Sequence, residues 1–306
     1  MHPAWGLGRV GLLRLALLMV LTVALLAGCA ALDQRQRLMI FQPSDRSWSG
    51  GTYAAQGMED VWIEFQSRVT NDPVRLHGLW TGDSNTASGT QRPILLYLHG
   101  ARWNVTGSAL RMRRMEELGF SVLGIDYRGF GRSSPDLPSE DMAYEDARAA
   151  WDWLAERYPD RPRFIFGHSL GGAIAIDLAQ QVQDETGTLV EGTFTSIPEL
   201  VRTFRWGWLP VSPLITQRFD AVKKVAHIGS PLVVVHGEED RLIKPEMGQR
   251  LFDAASEPKR LVRVAGGSHH STNSVGQEQY RAVIAELFGD VLGTSQALSA
   301  QARSGP

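Results

Sequence analysis

Cysteine is nearly absent from these 306 residues. A single thiol, Cys29, excludes an intramolecular disulfide and any metal site built from several cysteines. Charge of one dominant sign is missing as well. Lys and Arg number 31 against 33 Asp and Glu, for a formal charge of -2. No basic stripe runs along the chain, so nucleic acid is not an expected partner. Neither a cofactor nor a metal is called for. Internal repeats and an interdomain linker are lacking too. What remains is an ordinary globular balance, 43% hydrophobic and 21% charged. That suits one large α/β domain or two small ones. A chain of this size buries a sizeable core without covalent or metal staples.

The N-terminus stands apart. Arg9 and Arg14 form a positive region, and Leu15–Ala27 is uncharged and apolar. That run is shorter than the ~20 residues of a transmembrane helix and suits the apolar part of a signal peptide. It ends in Leu26-Ala27-Gly28-Cys29, which resembles the lipobox of bacterial lipoproteins. The alternative is a plain signal anchor with an incidental cysteine. The resemblance implies cleavage after Gly28, removal of residues 1–28 and lipidation of Cys29. Two Arg leave with that segment, so the mature charge is 29 minus 33, or about -4. It also implies a protein held on the bacterial cell envelope by an N-terminal lipid anchor, at ~0.8 kcal/mol per buried methylene. Ala30, in place of the Asp that marks inner-membrane retention, points to the outer membrane and its periplasmic face.

After the anchor, residues 29–59 read as a tether and lead-in, irregular except for an apolar patch at Leu38–Phe41. Strands are expected at 61–65 and 74–80, with Asn71-Asp72-Pro73 turning between them. Residues 81–91 are a polar loop. The pattern then alternates. Strands are expected at 94–98, 121–125, 164–166, 190–195, 232–235 and 261–264. Helices are expected at 108–118, 140–157, 170–182, 245–255 and 276–288. Residues 198–226 are mixed and rich in Trp and Pro. The final stretch, 291–306, is small and polar and reads as a disordered tail. Alternation of this kind predicts an α/β fold over 60–290, with a mostly parallel sheet, helices on both faces and an antiparallel start.

Gly167-His168-Ser169-Leu170-Gly171 is a G-x-S-x-G motif between a predicted strand and a predicted helix. That context turns a common pentapeptide into a nucleophile elbow, a sharp turn that presents the Ser hydroxyl above the sheet. An alcohol needs an adjacent base to attack a carbonyl, so a His and an acid are sought further along the chain.

Five segments in one order carry a wider resemblance. They are His99-Gly100 followed by Asn104, Asp126–Ser133 (DYRGFGRS), GHSLGG at 167–172, HGEED at 236–240 and GGSHH at 266–270. With them the chain resembles the α/β-hydrolase superfamily, and within it compact bacterial enzymes similar to eukaryotic depalmitoylating serine hydrolases. The resemblance implies the chain order Ser, acid, His. It selects Ser169 as nucleophile, Asp240 over Glu238 and Glu239 as the acid, and His269 over His270 as the base. It implies an oxyanion hole from the backbone N–H groups of Leu170 and Ala101, with Arg102 the alternative to Ala101. Asp126 precedes Ser169 and is read as shaping the loop beside the site. Trp206 and Trp208 lie where the superfamily inserts lids, in a stretch that allows only a short one. They are candidates for an acyl pocket or a membrane-facing rim, or else for core packing.

The activity so implied is cleavage of carboxylic esters or thioesters through an acyl-enzyme, on a small-molecule or lipid acyl substrate. A serine peptidase on the same fold and a non-catalytic binding lipoprotein are the alternatives. Dehalogenase and epoxide-hydrolase chemistry is excluded by Ser rather than Asp at 169.

Overall fold

Buried runs of five or six residues, alternating with helices, build the centre of the molecule. The computed structural model describes residues 9–83, 91–205 and 207–292. Trp206 and the tail from 293 onward therefore lie outside the described residues. The chain begins with α1 (Arg9–Phe41) and α2 (Ser49–Ala54), followed by β1 (Glu59–Gln66), β2 (Pro73–Trp80) and β3 (Ile94–Leu98). Next come α3 (Ala109–Glu117), β4 (Ser121–Ile125), α4 (Glu140–Arg157), β5 (Arg163–His168) and α5 (Leu170–Gln181). After β6 (Gly187–Glu191), the short helices α6 (Ile197–Arg202) and α7 (Ala221–Lys224) lead to β7 (Leu232–Gly237). The chain closes with α8 (Pro245–Ala254), β8 (Lys259–Val264), α9 (Thr272–Val275) and α10 (Gln277–Leu292).

The eight strands form one sheet in the order β1-β2-β4-β3-β5-β6-β7-β8. β2 pairs antiparallel with β1 and with β4, and every later pairing is parallel. Strand β3 shows how the two faces fill. Ile94, Leu96 and Leu98 pack with Trp151 and Leu154 of α4 and with Ile174 and Leu178 of α5. Leu95 and Tyr97 point the other way, to Met112 and Met115 of α3 and to Tyr280 and Phe288 of α10. Side-chain alternation along a strand with both faces covered makes the run apolar throughout. Polar chemistry is thereby confined to the strand ends and the loops beyond them.

Two expectations need correction. The strand predicted at 190–195 lies at Gly187–Glu191 instead. Gly192, at φ +55°, turns the chain out of the sheet, and residues 193–195 run past the nucleophile. The segment after Cys29 is not irregular. α1 is one 33-residue helix that passes through Cys29 and continues to Phe41. From Asp33 its less exposed positions are Asp33, Gln36, Arg37, Ile40 and Phe41, the i, i+3, i+4, i+7, i+8 spacing of a docked helical face. Three of these five are polar, so an apolar periodicity does not reveal the stripe.

Candidate active site

Ser169 sits at the carboxyl end of β5, in the middle of the sheet, with φ +56° and ψ -122°. A non-glycine residue there is strained and persists only where its surroundings hold it. The surroundings are tight. The Ser169 N–H donates to Glu191 O at 2.9 Å, and its carbonyl accepts from Thr193 Oγ1 at 2.8 Å. A Cβ on Gly171 would stand 2.1 Å from Leu98 O, so the helix after the elbow can press against β3 only with glycine there. This is why the motif ends in glycine.

The sequence-predicted partners converge on Ser169. His269 Nε2 lies 3.0 Å from Ser169 Oγ, and His269 Nδ1 lies 2.8 Å from Asp240 Oδ2. Asp240 is buried, and its Oδ1 accepts the N–H groups of Leu242 and Ile243 at 2.9 Å each. Burial pushes this carboxyl up. Hydrogen bonds from His236 and His269, the charge of His269 and the Ile243 N–H outweigh that and hold it well below the usual carboxylate range. An ionised Asp240 can only accept, so Nδ1 of His269 carries the proton and Nε2 faces the serine hydroxyl. His270 is exposed and only stacks its ring edgewise on His269, 5.2 Å between centroids. Glu238 and Glu239 are exposed in the turn ahead of Asp240.

The loop after β3 completes the site. A Cβ on Gly100 would come within 3.0 Å of Ser169 Cβ, so this loop lies directly against the nucleophile. Tyr127 Oη holds it by donating to His99 O at 3.1 Å. The Arg102 N–H is already engaged, donating to Phe41 O at 2.9 Å. The Ala101 N–H has no partner among the described residues. Leu170 opens α5, where an N–H has no intrahelical acceptor. Two free donors thus flank Ser169.

Asp126 is buried away from this group. It accepts from Val105 N at 2.6 Å and pairs with His77 Nδ1 at 3.0 Å, which shapes the loops beside the site. Trp208 is 74% exposed. Trp103, next to the Ala101 loop, is also exposed.

A second group of residues carries no motif and escapes sequence reasoning. Beneath the elbow, the fully buried Glu191 carboxylate takes Arg111 Nε at 3.1 Å and the Tyr280 hydroxyl. His168, the variable residue of the elbow, donates from Nε2 to the His269 carbonyl at 3.0 Å. Burial, and next the charge of Arg111, push the His168 pKa well below its ordinary value. The two chain segments that carry Ser169 and His269 are therefore tied together below the reacting atoms.

The arrangement can be compared with known proteins. The hydrolase family described as serine aminopeptidase, S33, matches residues 89–211, which include His99-Gly100 and the elbow but end before Asp240 and His269. An uncharacterized protein of Mycobacterium tuberculosis is 33% identical over 259 residues, covering 83% of this chain and 88% of that protein. Lysophosphatidylserine lipase ABHD12 of Danio rerio is 30% identical over 191 residues, covering 56% of this chain and 50% of the lipase. This chain thus spans about half the length of that lipase. Among solved structures, an esterase of Pyrococcus furiosus superposes with a TM-score of 0.64 at 19% identity, over 82% of this chain and 98% of the esterase. A puromycin-hydrolyzing peptidase of Mycobacterium tuberculosis gives a TM-score of 0.60 at 17% identity, over 76% of this chain and 40% of the peptidase. At these identities the two structural likenesses concern the fold.

Proposed function

This chain belongs to the α/β-hydrolase superfamily of serine hydrolases, and from that premise we propose that it cleaves carboxylic esters or thioesters through an acyl-enzyme on Ser169. The observation that carries the reading is the pair of contacts made by one imidazole, 3.0 Å to Ser169 Oγ and 2.8 Å to Asp240 Oδ2. His269 Nε2 takes the hydroxyl proton as Oγ bonds to the acyl carbon. Asp240 stabilises the imidazolium that results and keeps the ring in its tautomer. The carbonyl oxygen becomes an oxyanion between the N–H groups of Ala101 and Leu170. One such donor is typically worth ~10²–10³ in rate. The tetrahedral centre collapses, the alcohol or thiol leaves with the proton from His269, and Ser169 stays acylated. Water then attacks the acyl carbon, gives its proton to Nε2, and the carboxylic acid departs as Oγ regains a proton.

Three observations bear on the substrate. Among the described residues, the segment from 192 to 231 holds only short helices, and these build no full cap domain above the mouth of the site. The relative named a lysophosphatidylserine lipase supports an acyl ester. The description of the matched family as serine aminopeptidase favours the peptidase reading instead. A panel of p-nitrophenyl esters of increasing chain length, a matched thioester and a matched peptide amide separates the two. We expect ester kcat/KM to exceed amide kcat/KM by at least about a hundredfold, roughly 2.7 kcal/mol of barrier. Comparable amide turnover would give the chain to the peptidases, and turnover of nothing would leave a binding protein. Trp208, as an apolar rim, should cost long acyl chains more than acetyl when changed to Ala. Equal loss at every chain length removes it from the pocket.

The membrane part of the reading concerns α1. Its most apolar stretch has a mean hydropathy of 2.6 and none of it is buried against the domain. We assign Cys29, exposed on this helix, as the site of lipidation, with the enzyme held on the cell envelope.

A further inference from the structure

Between the end of the apolar run and the active site there is no slack chain. The run is free of charge from Leu15 to Leu32, and Asp33 is already docked. Asp33 Oδ1 accepts from Thr216 Oγ1 at 2.7 Å and from Gln217 Nε2 at 2.9 Å. One turn on, Gln36 donates to Leu214 O at 2.8 Å and accepts from the Thr216 N–H at 2.9 Å. Arg37 donates from Nε to Pro138 O at 2.9 Å and from Nη2 to Leu137 O. Phe41 is fully buried, its ring edge-on to Phe219 and Phe130 at 5.8 and 6.5 Å. Complete burial of such a ring contributes about 1.5–3 kcal/mol, so this end of α1 is a fixed part of the domain.

The same helix end grips the loop of the site. Phe41 O accepts the Arg102 N–H at 2.9 Å, and Gln42 Oε1 accepts Arg102 Nε at 2.8 Å. Arg102 follows Ala101, the free donor beside Ser169. Leu32, Leu38 and Met39 on α1 stay exposed, and so does Leu214 beside Gln36. These four side chains put exposed apolar surface on the end of the domain that continues into the apolar part of α1, with Gln34 and Arg35 exposed among them.

We propose that α1 from Cys29 to Phe41 is a rigid strut that sets the active site at a short, fixed distance from the bilayer, so that the substrate is an acyl amphiphile residing in that bilayer. The proposal rests on the acyl-hydrolase reading above. Twelve helical rises of 1.5 Å place Phe41 at most about 18 Å from the anchoring position. The result is the same whether acyl chains on Cys29 or the uncut helix hold the membrane, because both put the bilayer edge between Cys29 and Asp33. A flexible tether would let the enzyme range outward to soluble substrates. A docked helix keeps Trp103 and the Ala101 loop close to the lipid surface.

The test lengthens the strut without turning it. An insertion of about 18 helix-forming residues between Ala31 and Leu32 adds five whole turns, and so lifts the domain by about 27 Å with its docking face unchanged. The full chain and the lengthened chain are reconstituted through their own anchors into phosphatidylcholine vesicles. One substrate, p-nitrophenyl palmitate, is carried in the vesicles, and the other, p-nitrophenyl acetate, is in the water. A rigid spacer that cannot bring two sites together drives their effective concentration toward zero, so palmitate turnover should fall at least about tenfold while acetate turnover stays within about twofold. A Gly-Ser insertion of equal length, which can fold back, should recover part of the palmitate rate. Unchanged palmitate turnover in the rigid variant overturns the strut. So does acetate turnover that falls in step with palmitate, because α1 would then matter only to the site itself. If the unaltered chain cleaves neither ester, it is the hydrolase reading that fails.

Discussion

His168 Nε2 and the carbonyl oxygen of His269 are 3.0 Å apart, and this bond joins the residue ahead of Ser169 to the chain that carries its partner imidazole. A carbonyl only accepts, so Nε2 of a neutral His168 carries the proton. Burial and the Arg111 charge keep the ring neutral in the folded chain. The unfolded chain binds a proton near the ordinary value of about 6.5. The folded pKa is depressed, so the stability His168 contributes is complete above that value and is lost as pH falls below it toward the folded pKa. The slope is at most about 1.4 kcal/mol per pH unit. His168→Gln keeps an N–H for the His269 carbonyl but cannot titrate. Urea unfolding at about pH 7 and about pH 5 should show a shallower loss on acidification in the variant. His99 and His270, also pushed down by burial, remain in both chains, as does Asp146, which burial pushes up to about 7 and which acts in the opposite sense. An unaltered slope would place the protonation elsewhere.

His269→Ala should lower ester kcat by about four orders of magnitude or more, because no other base among the described residues reaches Ser169. His270→Ala, which removes an exposed ring, should cost less than about tenfold. Steady-state kinetics with one short ester checks both, and the reverse ranking would show that His270 is the base.

Asp240→Asn should preserve the fold and still lose about 10⁴ in kcat, since an amide can donate to Nδ1 and favours the wrong tautomer. It should also remove an acid-side contribution to stability. The Asp240 pKa is depressed on folding, so its contribution is present above the ordinary carboxylate value of about 3.9 and is lost as pH falls from there toward the folded value. Acid unfolding followed by circular dichroism should therefore run flatter in the variant below about pH 4. Kinetics unchanged by the substitution would remove Asp240 from the site.

Cys29→Ser should stop the incorporation of radiolabelled palmitate into the chain in a bacterial host. Equal label in both forms would leave α1 as a plain helical anchor.

Much of the fold can be read from the sequence because a strand buried on both faces has to be apolar throughout. Ile94–Leu98, Ser121–Ile125 and Leu232–Val235 sit where that rule puts them. β6 is displaced because Val190, Thr193, Phe194 and Thr195 are residue types that favour a strand, while the positive φ of Gly192 ends it early. The elbow is legible because its glycines are imposed by backbone contacts, Gly167 against Gly171 O and Gly171 against Leu98 O, that leave no room for a side chain. Asp240 and His269 are legible through order and motif, not through any local rule, since 29 residues separate them in the chain. The Glu191–Arg111–Tyr280 group and the docked face of α1 are not legible. Both are polar contacts across long separations, 80 residues between Arg111 and Glu191 and 183 between Asp33 and Thr216, and no period of one element records them.

The most direct measurement is covalent labelling of Ser169. A fluorophosphonate probe, whose phosphorus takes the place of the acyl carbon, should label the intact chain once and leave Ser169→Ala unlabelled. Mass spectrometry of the labelled peptide should place the added mass on the segment from 167 to 172, and thermal unfolding should show the variant folded. Labelling of Ser169→Ala equal to that of the unaltered chain would contradict the account, because the nucleophile would then lie outside the elbow.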